Sequence, residues 1–219
     1  FRVIKRNKID YIVTFNLVPW GILAWFIAKL TRKPLIIGLI GSDFNKHINN
    51  KKNNLLKRIL FSAEVVTVTG NKMMRYFLDI KKDKNVFIFP HCLPDEWFGS
   101  SVDLNVHKCD LISISELKKN KRTIDIIRAV HHLKEEGIDL KLKILGVGPE
   151  RKSLKKEISK LNLNSNVKLL GYQNDVLSHL NRAKFFIQAS IKEGLSLSLV
   201  EALGAGVVPI ITEAGSEKD

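Results

Sequence analysis

The chain is short of cysteine, of acidic residues and of long apolar runs, and each shortage excludes something. Only Cys92 and Cys109 occur in 219 residues, at no spacing that suits a zinc site or a disulfide framework. This points to a reducing, cytoplasmic compartment. The longest apolar stretch, LVPWGILAWFIAKL at 17–30, falls short of the roughly 20 residues a membrane-spanning helix needs. It contains Pro19 and Gly21 and predicts a buried helix instead. Asp and Glu number 22 against 36 Lys and Arg, a formal charge of +14. Nucleic acid, an anionic membrane surface and plain solvated charge are the three readings of that excess. Nucleic acid is disfavoured because no basic run is interleaved with stacking aromatics. No Met precedes Phe1, and EAGSEKD follows directly on a strand-like run, so the chain is expected to be an internal piece of a longer one.

What is present is an alternation of short apolar runs with helical periods, the pattern of an α/β protein with parallel sheets. Strands are predicted at 10–15, 34–40, 64–69 and 85–90, with helices near 19–31, 52–62 and 71–79. The grammar restarts at 110–115. A helix is expected over 121–136, with Thr123, Ile126, Ile127, Val130 and Leu133 on one face. Strands at 140–146, 166–171, 183–190 and 207–212 follow. A helix opened by Pro149 carries Leu154, Ile158 and Leu161, and a short helix lies near 174–181. The stretch 90–108 has no clear period and reads as a linker from about 90, giving domains 1–103 and 104–219. Ligands of such folds bind at the carboxyl ends of the strands, here in a cleft between two half-sized domains.

Three loops of the second half follow strands and open helices, where free backbone N–H groups face an anion: 115–121, 146–150 and 193–198. The last lies in KEGLSLSLVEALGAG, with Glu193 and Glu201 separated by seven residues. Ser196 is placed to cap a helix starting near Leu197, its hydroxyl accepting an early N–H. Leu199 and Leu203 are expected to face the core. The two acids would then bracket a helix N-terminus able to hold a phosphate; solvated acids flanking a buried strand are the plain alternative. Asp43, in GSDF at 41–44, either reaches a cleft or caps a helix. His91 is either a ligand contact or a surface residue. His131 and His132 read as an exposed pair with no metal role. Lys121 is a solvated lysine or a phosphate partner.

Taken in order, these motifs resemble the family-4 glycosyltransferases, retaining enzymes of the GT-B fold. KEGLSLSLVEALGAGVVPIIT is similar to their E-x7-E signature, and LKILGVGPERKSL to their strand plus G-x-G-P turn. FPHCLPDEWF resembles their interdomain segment, and IGSDF their N-terminal H-G-S-D loop. The resemblance implies two Rossmann-like parallel-sheet domains, the N-terminal one incomplete and the C-terminal one truncated. It implies Glu193 on donor-sugar hydroxyls, Glu201 on the ribose diol, and Gly194, Leu195 and Ser196 facing sugar and phosphates. Gly146 and Gly148 join the donor side. Gly41, Ser42, Asp43 and His91 fall on the acceptor side. Lys121 matches the lysine of a diphosphate-binding pair whose arginine is here Glu116, so either Lys121, with Arg122 as a helper, neutralises the diphosphate or leaving-group stabilisation is weakened. His91 stands for Asn, Cys92 for Gly and Ile40 for His.

The implied reaction moves a sugar from a nucleoside diphosphate, with UDP expected, to a hydroxyl of a saccharide or lipid-linked acceptor. The configuration is retained, and the setting is cell-surface polysaccharide or glycolipid synthesis. No cofactor or metal is expected, in keeping with the lack of an Asp-x-Asp pair. The basic surface would suit peripheral contact with the inner face of the cell membrane. A GT-B-like nucleotide-sugar epimerase and a non-catalytic nucleotide-sugar-binding subunit are the alternatives.

Overall fold

The computed structural model describes residues 6–40, 43, 54–80, 85–90, 92–98 and 109–214. Residues 1–91 and 193–195 fall in one compact unit, and 92–192 with 196–214 form the other.

In the first unit four short strands, β1 (Ile12–Phe15), β2 (Leu35–Gly38), β3 (Val65–Val68) and β4 (Val86–Ile88), pair in chain order, all parallel. Helices α1 (Ile22–Thr31), α2 (Asn54–Ser62) and α3 (Asn71–Ile80) connect them. Ile37, Val66 and Val68 of the sheet pack with Ile59, Leu60 and Phe77 of the helices, all essentially inaccessible to water. Burial of each such side chain contributes on the order of 2 kcal/mol. The expectation of a buried helix at 17–30 needs correction. A wide turn occupies Leu17–Gly21, and α1 buries only Ala24 and Ala28. Ala24 and Ala28 sit inside, Trp25 and Ile27 are half-buried, and Leu23, Phe26 and Leu30 face water.

The second unit holds β5 (Cys109–Ile114), β6 (Leu142–Leu145), β7 (Val167–Gly171), β8 (Ala183–Gln188) and β9 (Val208–Ile211), parallel in the order β7-β6-β5-β8-β9. The central strand β5 is an apolar run flanked on both sides, as a strand covered on both faces must be. Its helices are α4 (Thr123–Glu135), α5 (Arg151–Lys160), α6 (Val176–Leu180) and α7 (Leu197–Gly204). Thr123, Ile126, Ile127 and Val130 form the buried face of α4, as their spacing predicts, while Leu133 is half-buried. Pro149 lies in the turn before α5 rather than in its first turn, and Leu161 follows the helix, still packed on the core. Within the expected linker, Asp95–Trp97 form a 3-10 turn, and Trp97 packs on the core beside Leu199 and Ala202. Leu93 leans against α7 where Gly204 has no Cβ to obstruct it.

Candidate functional site

Strand order reverses at β5, with β6 and β7 to one side and β8 and β9 to the other. The crevice outside the carboxyl ends of strands at such a point is where open α/β sheets bind ligands. The predicted loops 115–121, 146–150 and 193–198 all leave from β5, β6 and β8, three neighbouring strands.

Backbone hydrogen bonds stitch these loops together. The Ser115 amide donates to Leu145 O at 3.1 Å, Leu117 N to Val147 O at 2.9 Å and Glu150 N to Leu117 O at 3.0 Å. Gly146 has φ +125, and a Cβ there would lie 2.0 Å from Ser115 O; one on Gly148 would lie 2.4 Å from Leu117 O. Both glycines are therefore required for the loops to lie against each other. On the other side, the Ile191 amide donates to Asn120 O at 2.9 Å, joining the loop after β8 to the loop that ends in Lys121.

Lys121 closes a 3-10 turn, Lys119–Lys121, ahead of α4. Its neighbour Arg122 is held by Asp125 in the first turn of α4, so that guanidinium is already committed. Glu116 is paired with Lys118 at 2.7 Å, both about half exposed. The carboxylate that departs from the arginine pattern is thus balanced within its own loop.

Helix α7 starts at Leu197, as expected, with Ser196 in extended conformation at its N-cap. The cap itself differs from expectation. Ser196 makes no side-chain bond to a backbone amide of the helix. Its hydroxyl donates instead to Oε1 of buried Gln188 at 2.6 Å and lies 3.1 Å from the Ser198 hydroxyl. Leu199 N and Val200 N both reach Ser196 O, at 3.2 Å each. The amides of Leu197 and Ser198 are the ones left without an intrahelical acceptor. The side chain that would ordinarily cover a helix N-terminus has been drawn away to the end of β8.

Glu193 stands half-buried on the loop before α7, with Gly194 and Leu195 also half-buried. Glu201 lies in the second turn of α7, where burial raises its carboxyl pKa above the ordinary value. Leu199 and Ala202 face the core, whereas Leu203 is 55% exposed, correcting the expectation that Leu203 faces inward. The helical period puts the small Ala202 inside in its place.

Among the acceptor-side residues, Asp43 is buried and works on the backbone: Leu17 N donates to its Oδ1 at 3.0 Å and Ile40 N to its Oδ2 at 3.4 Å. It ties the turn after β1 to the segment after β2. Gly41, Ser42 and His91 lie outside the described residues. His131 and His132 each face a glutamate one turn on, Glu135 at 3.5 Å and Glu136 at 3.4 Å.

Sequence reasoning missed Gln188. Its Nε2, the Ser190 hydroxyl and the Thr123 hydroxyl are buried without a hydrogen-bond partner among the described residues. All three belong to β8, the loop after it, or the helix that follows the β5 loop. Trp25 Nε1, Thr69 Oγ1 and Asn181 Oδ1 are buried without a partner elsewhere among the described residues, so it is the gathering of three such atoms at one strand end that sets this place apart.

The chain is similar to known proteins over nearly its whole length. It is 25% identical over 225 residues to the N-acetyl-alpha-D-glucosaminyl L-malate synthase of Bacillus anthracis, covering 97% of this chain and 59% of that protein. It is 28% identical over 175 residues to the poly(glycerol-phosphate) alpha-glucosyltransferase of Bacillus subtilis, covering 77% of this chain and 26% of that one. The chain thus spans between a quarter and three-fifths of the length of these two relatives. Among solved structures, HepE of Anabaena in complex with UDP and glucose superposes with a TM-score of 0.78 at 18% identity, over 99% of this chain and 63% of that one. The two parallel-sheet units are those of the GT-B fold. Residues 100–219, more than half of the chain, match the family Glycosyl transferases group 1, and the chain belongs to that family.

Proposed function

We propose that the chain is the part of a retaining glycosyltransferase that holds a nucleoside-diphosphate sugar, UDP-linked, and that the sugar passes to a hydroxyl of a cell-surface polysaccharide or glycolipid. The observation that carries this reading is the N-terminus of α7 at the strand-order reversal, whose N-cap hydroxyl is turned to Gln188 and whose second turn carries Glu201. Free amides at a helix start favour a phosphate, and the helix dipole adds to that preference. Glu201, half-buried on α7, accepts from the ribose hydroxyls. Glu193, on the loop before, accepts from the sugar. Lys121 and the Leu197 and Ser198 amides stabilise the negative charge that grows on the diphosphate as the sugar bond breaks. A donor phosphate oxygen takes the acceptor proton, so neither glutamate acts as a nucleophile.

Lack of the usual arginine would favour a subunit that binds the donor without turning it over. The Glu116–Lys118 pair removes the repulsion that a lone carboxylate would exert on a diphosphate, so donor binding is compatible with Glu116 under either alternative, and the transfer assay separates them. The named relatives that transfer sugars, and a neighbour holding UDP and glucose, support the donor class.

The test is a thermal-shift panel on the full-length protein with UDP, GDP, CDP and their sugars, followed by transfer assays with the best donor. Binding of a uridine nucleotide should raise the melting temperature by mass action. Glu193→Ala should lower transfer at least about a hundredfold while nucleotide binding is largely kept. The product anomer, read by proton coupling constants, should match the donor's. Wild-type transfer by Glu193→Ala, or an inverted anomer, would defeat the reading.

A further inference from the structure

We infer that Gln188 is a positioning residue of the α7 site: it holds the Ser196 hydroxyl away from the helix, so that the first amides of α7 stay open to a phosphate. The inference rests on the reading of that N-terminus as the place of the diphosphate.

A serine at an N-cap ordinarily turns its oxygen onto the second or third amide of the helix, here Ser198 N or Leu199 N. Ser196 has the extended backbone that such a cap requires, with φ −74 and ψ 114. Its hydroxyl nevertheless donates to Gln188 Oε1 at 2.6 Å. With that proton committed, the 3.1 Å contact between the Ser196 and Ser198 hydroxyls has Ser198 as its donor. A chain of bonds, Ser198 to Ser196 to Gln188, thus engages the cap hydroxyl both as donor and as acceptor.

The sheet fixes the far end of this chain. Gln188 closes β8, lies opposite Ile211 of β9, and its carbonyl accepts from Thr212 N at 3.0 Å. The Thr212 hydroxyl donates to Ser190 O at 2.7 Å, which ties the next stretch of the loop to the same strand. Gln188 is 4% exposed, and its Nε2 is buried with no partner among the described residues. A leucine would fill that space without leaving a donor unpaired, at less cost to the fold. The only side-chain bond of Gln188 among the described residues goes to the cap.

A plain tie between β8 and α7 and a device that keeps the helix start open predict different outcomes. For a tie, losing either partner harms nucleotide binding alike. For the device, losing Gln188 is worse, because only then is a hydroxyl released to compete with the phosphate for Ser198 N.

The test is calorimetric titration of UDP into the full-length protein. Gln188→Leu should bind UDP about fivefold more weakly, the worth of an N-cap hydroxyl competing for the same amide. Ser196→Ala should lose less than Gln188→Leu, and the two substitutions combined should regain most of that loss. Gln188→Met, similar in length but without the carboxamide, should repeat the pattern if the leucine variant folds poorly. The inference is overturned if both Gln188 variants bind UDP as tightly as the wild type, if Ser196→Ala loses as much as they do, or if the combined variant regains nothing. Should one of these results come with Glu201→Ala still weakening UDP binding, the reading of the site stands and Gln188 alone loses its role. A wild type that binds no UDP removes both.

Discussion

The first sheet runs its strands in chain order, β1-β2-β3-β4, whereas the second reverses between β5 and β8. That difference in winding goes with a difference in how each unit treats its polar groups. Both units leave buried polar atoms without a partner among the described residues, Trp25 Nε1 and Thr69 Oγ1 in the first and Gln188 Nε2, Ser190 Oγ and Thr123 Oγ1 in the second, where they gather at the reversal beside loops bound to one another by backbone hydrogen bonds. Its charges are nearly balanced and often paired, as in Arg128–Glu157 and Lys184–Asp110. In the first unit, the buried carboxylate of Asp43 accepts from two backbone amides, and large apolar side chains such as Leu23, Phe26 and Leu30 lie exposed. One architecture thus treats its polar groups in two ways: it gathers them at a strand-order reversal in one unit and uses a carboxylate to tie backbone segments in the other.

The sharpest way to break this comparison is to truncate one phenylalanine in each unit. Phe186, fully buried in the second core, should cost about 3–5 kcal/mol as Phe186→Ala in urea denaturation. Phe26→Ala should stay within about 0.5 kcal/mol of wild type, since the ring already faces water. An equal cost at the two positions would mean that α1 is covered after all.

Next in size is the loop packing. Gly146→Ala puts a Cβ against Ser115 O in a left-handed backbone conformation, so about 3 kcal/mol or more should be lost. Gly137→Ala is the control: φ is also positive, at +86, but no atom lies within 4 Å, so about 1 kcal/mol is expected. If both cost the same, the loops are not held as described.

Much of this layout was legible in the sequence. Every strand found was anticipated to within about two residues at either end, because buried parallel strands read as apolar runs bounded by turns. The start of α7 was read from Ser196 as its cap, and the place of Glu201 about a turn on followed from that start; both positions hold although the serine caps nothing. What could not be read was direction. Nothing in the order Gln188 to Ser196 says that the serine hydroxyl turns back to the glutamine rather than forward to the helix; that depends on which partner the fold brings within 2.6 Å. The facing of α1 was misjudged for a related reason. Apolar residues ring most of that helix, and only the sheet decides that alanines form its inner side.

The serine invites a middle-sized test. Ser196→Ala leaves the Gln188 amide with neither of its groups paired, and about 1–3 kcal/mol should be lost. Gln188→Leu in the same background should restore most of it, since both polar partners are then gone. A double variant no more stable than Ser196→Ala would show that this bond does not hold the cap.

The smallest expected effect concerns pH. Because burial raises the Glu201 carboxyl pKa in the folded chain, the folded state holds that proton more tightly than the unfolded one. The stability tied to this group is complete below the unfolded value and is lost as pH rises through the folded one. Glu201→Gln removes that loss, so near neutral pH the ligand-free variant should melt up to about 2 °C higher. The gap should close below about pH 4. A variant that melts lower at neutral pH would show that the carboxylate supports the fold rather than burdening it.

The same side chain gives the most direct test of the central claim, that a nucleoside diphosphate lies on the α7 N-terminus with Glu201 at its ribose. Calorimetric titration of UDP into the full-length protein should show Glu201→Ala binding at least about tenfold more weakly, the worth of one charge-assisted hydrogen bond or more. An unchanged dissociation constant would place the nucleotide elsewhere and contradict the account.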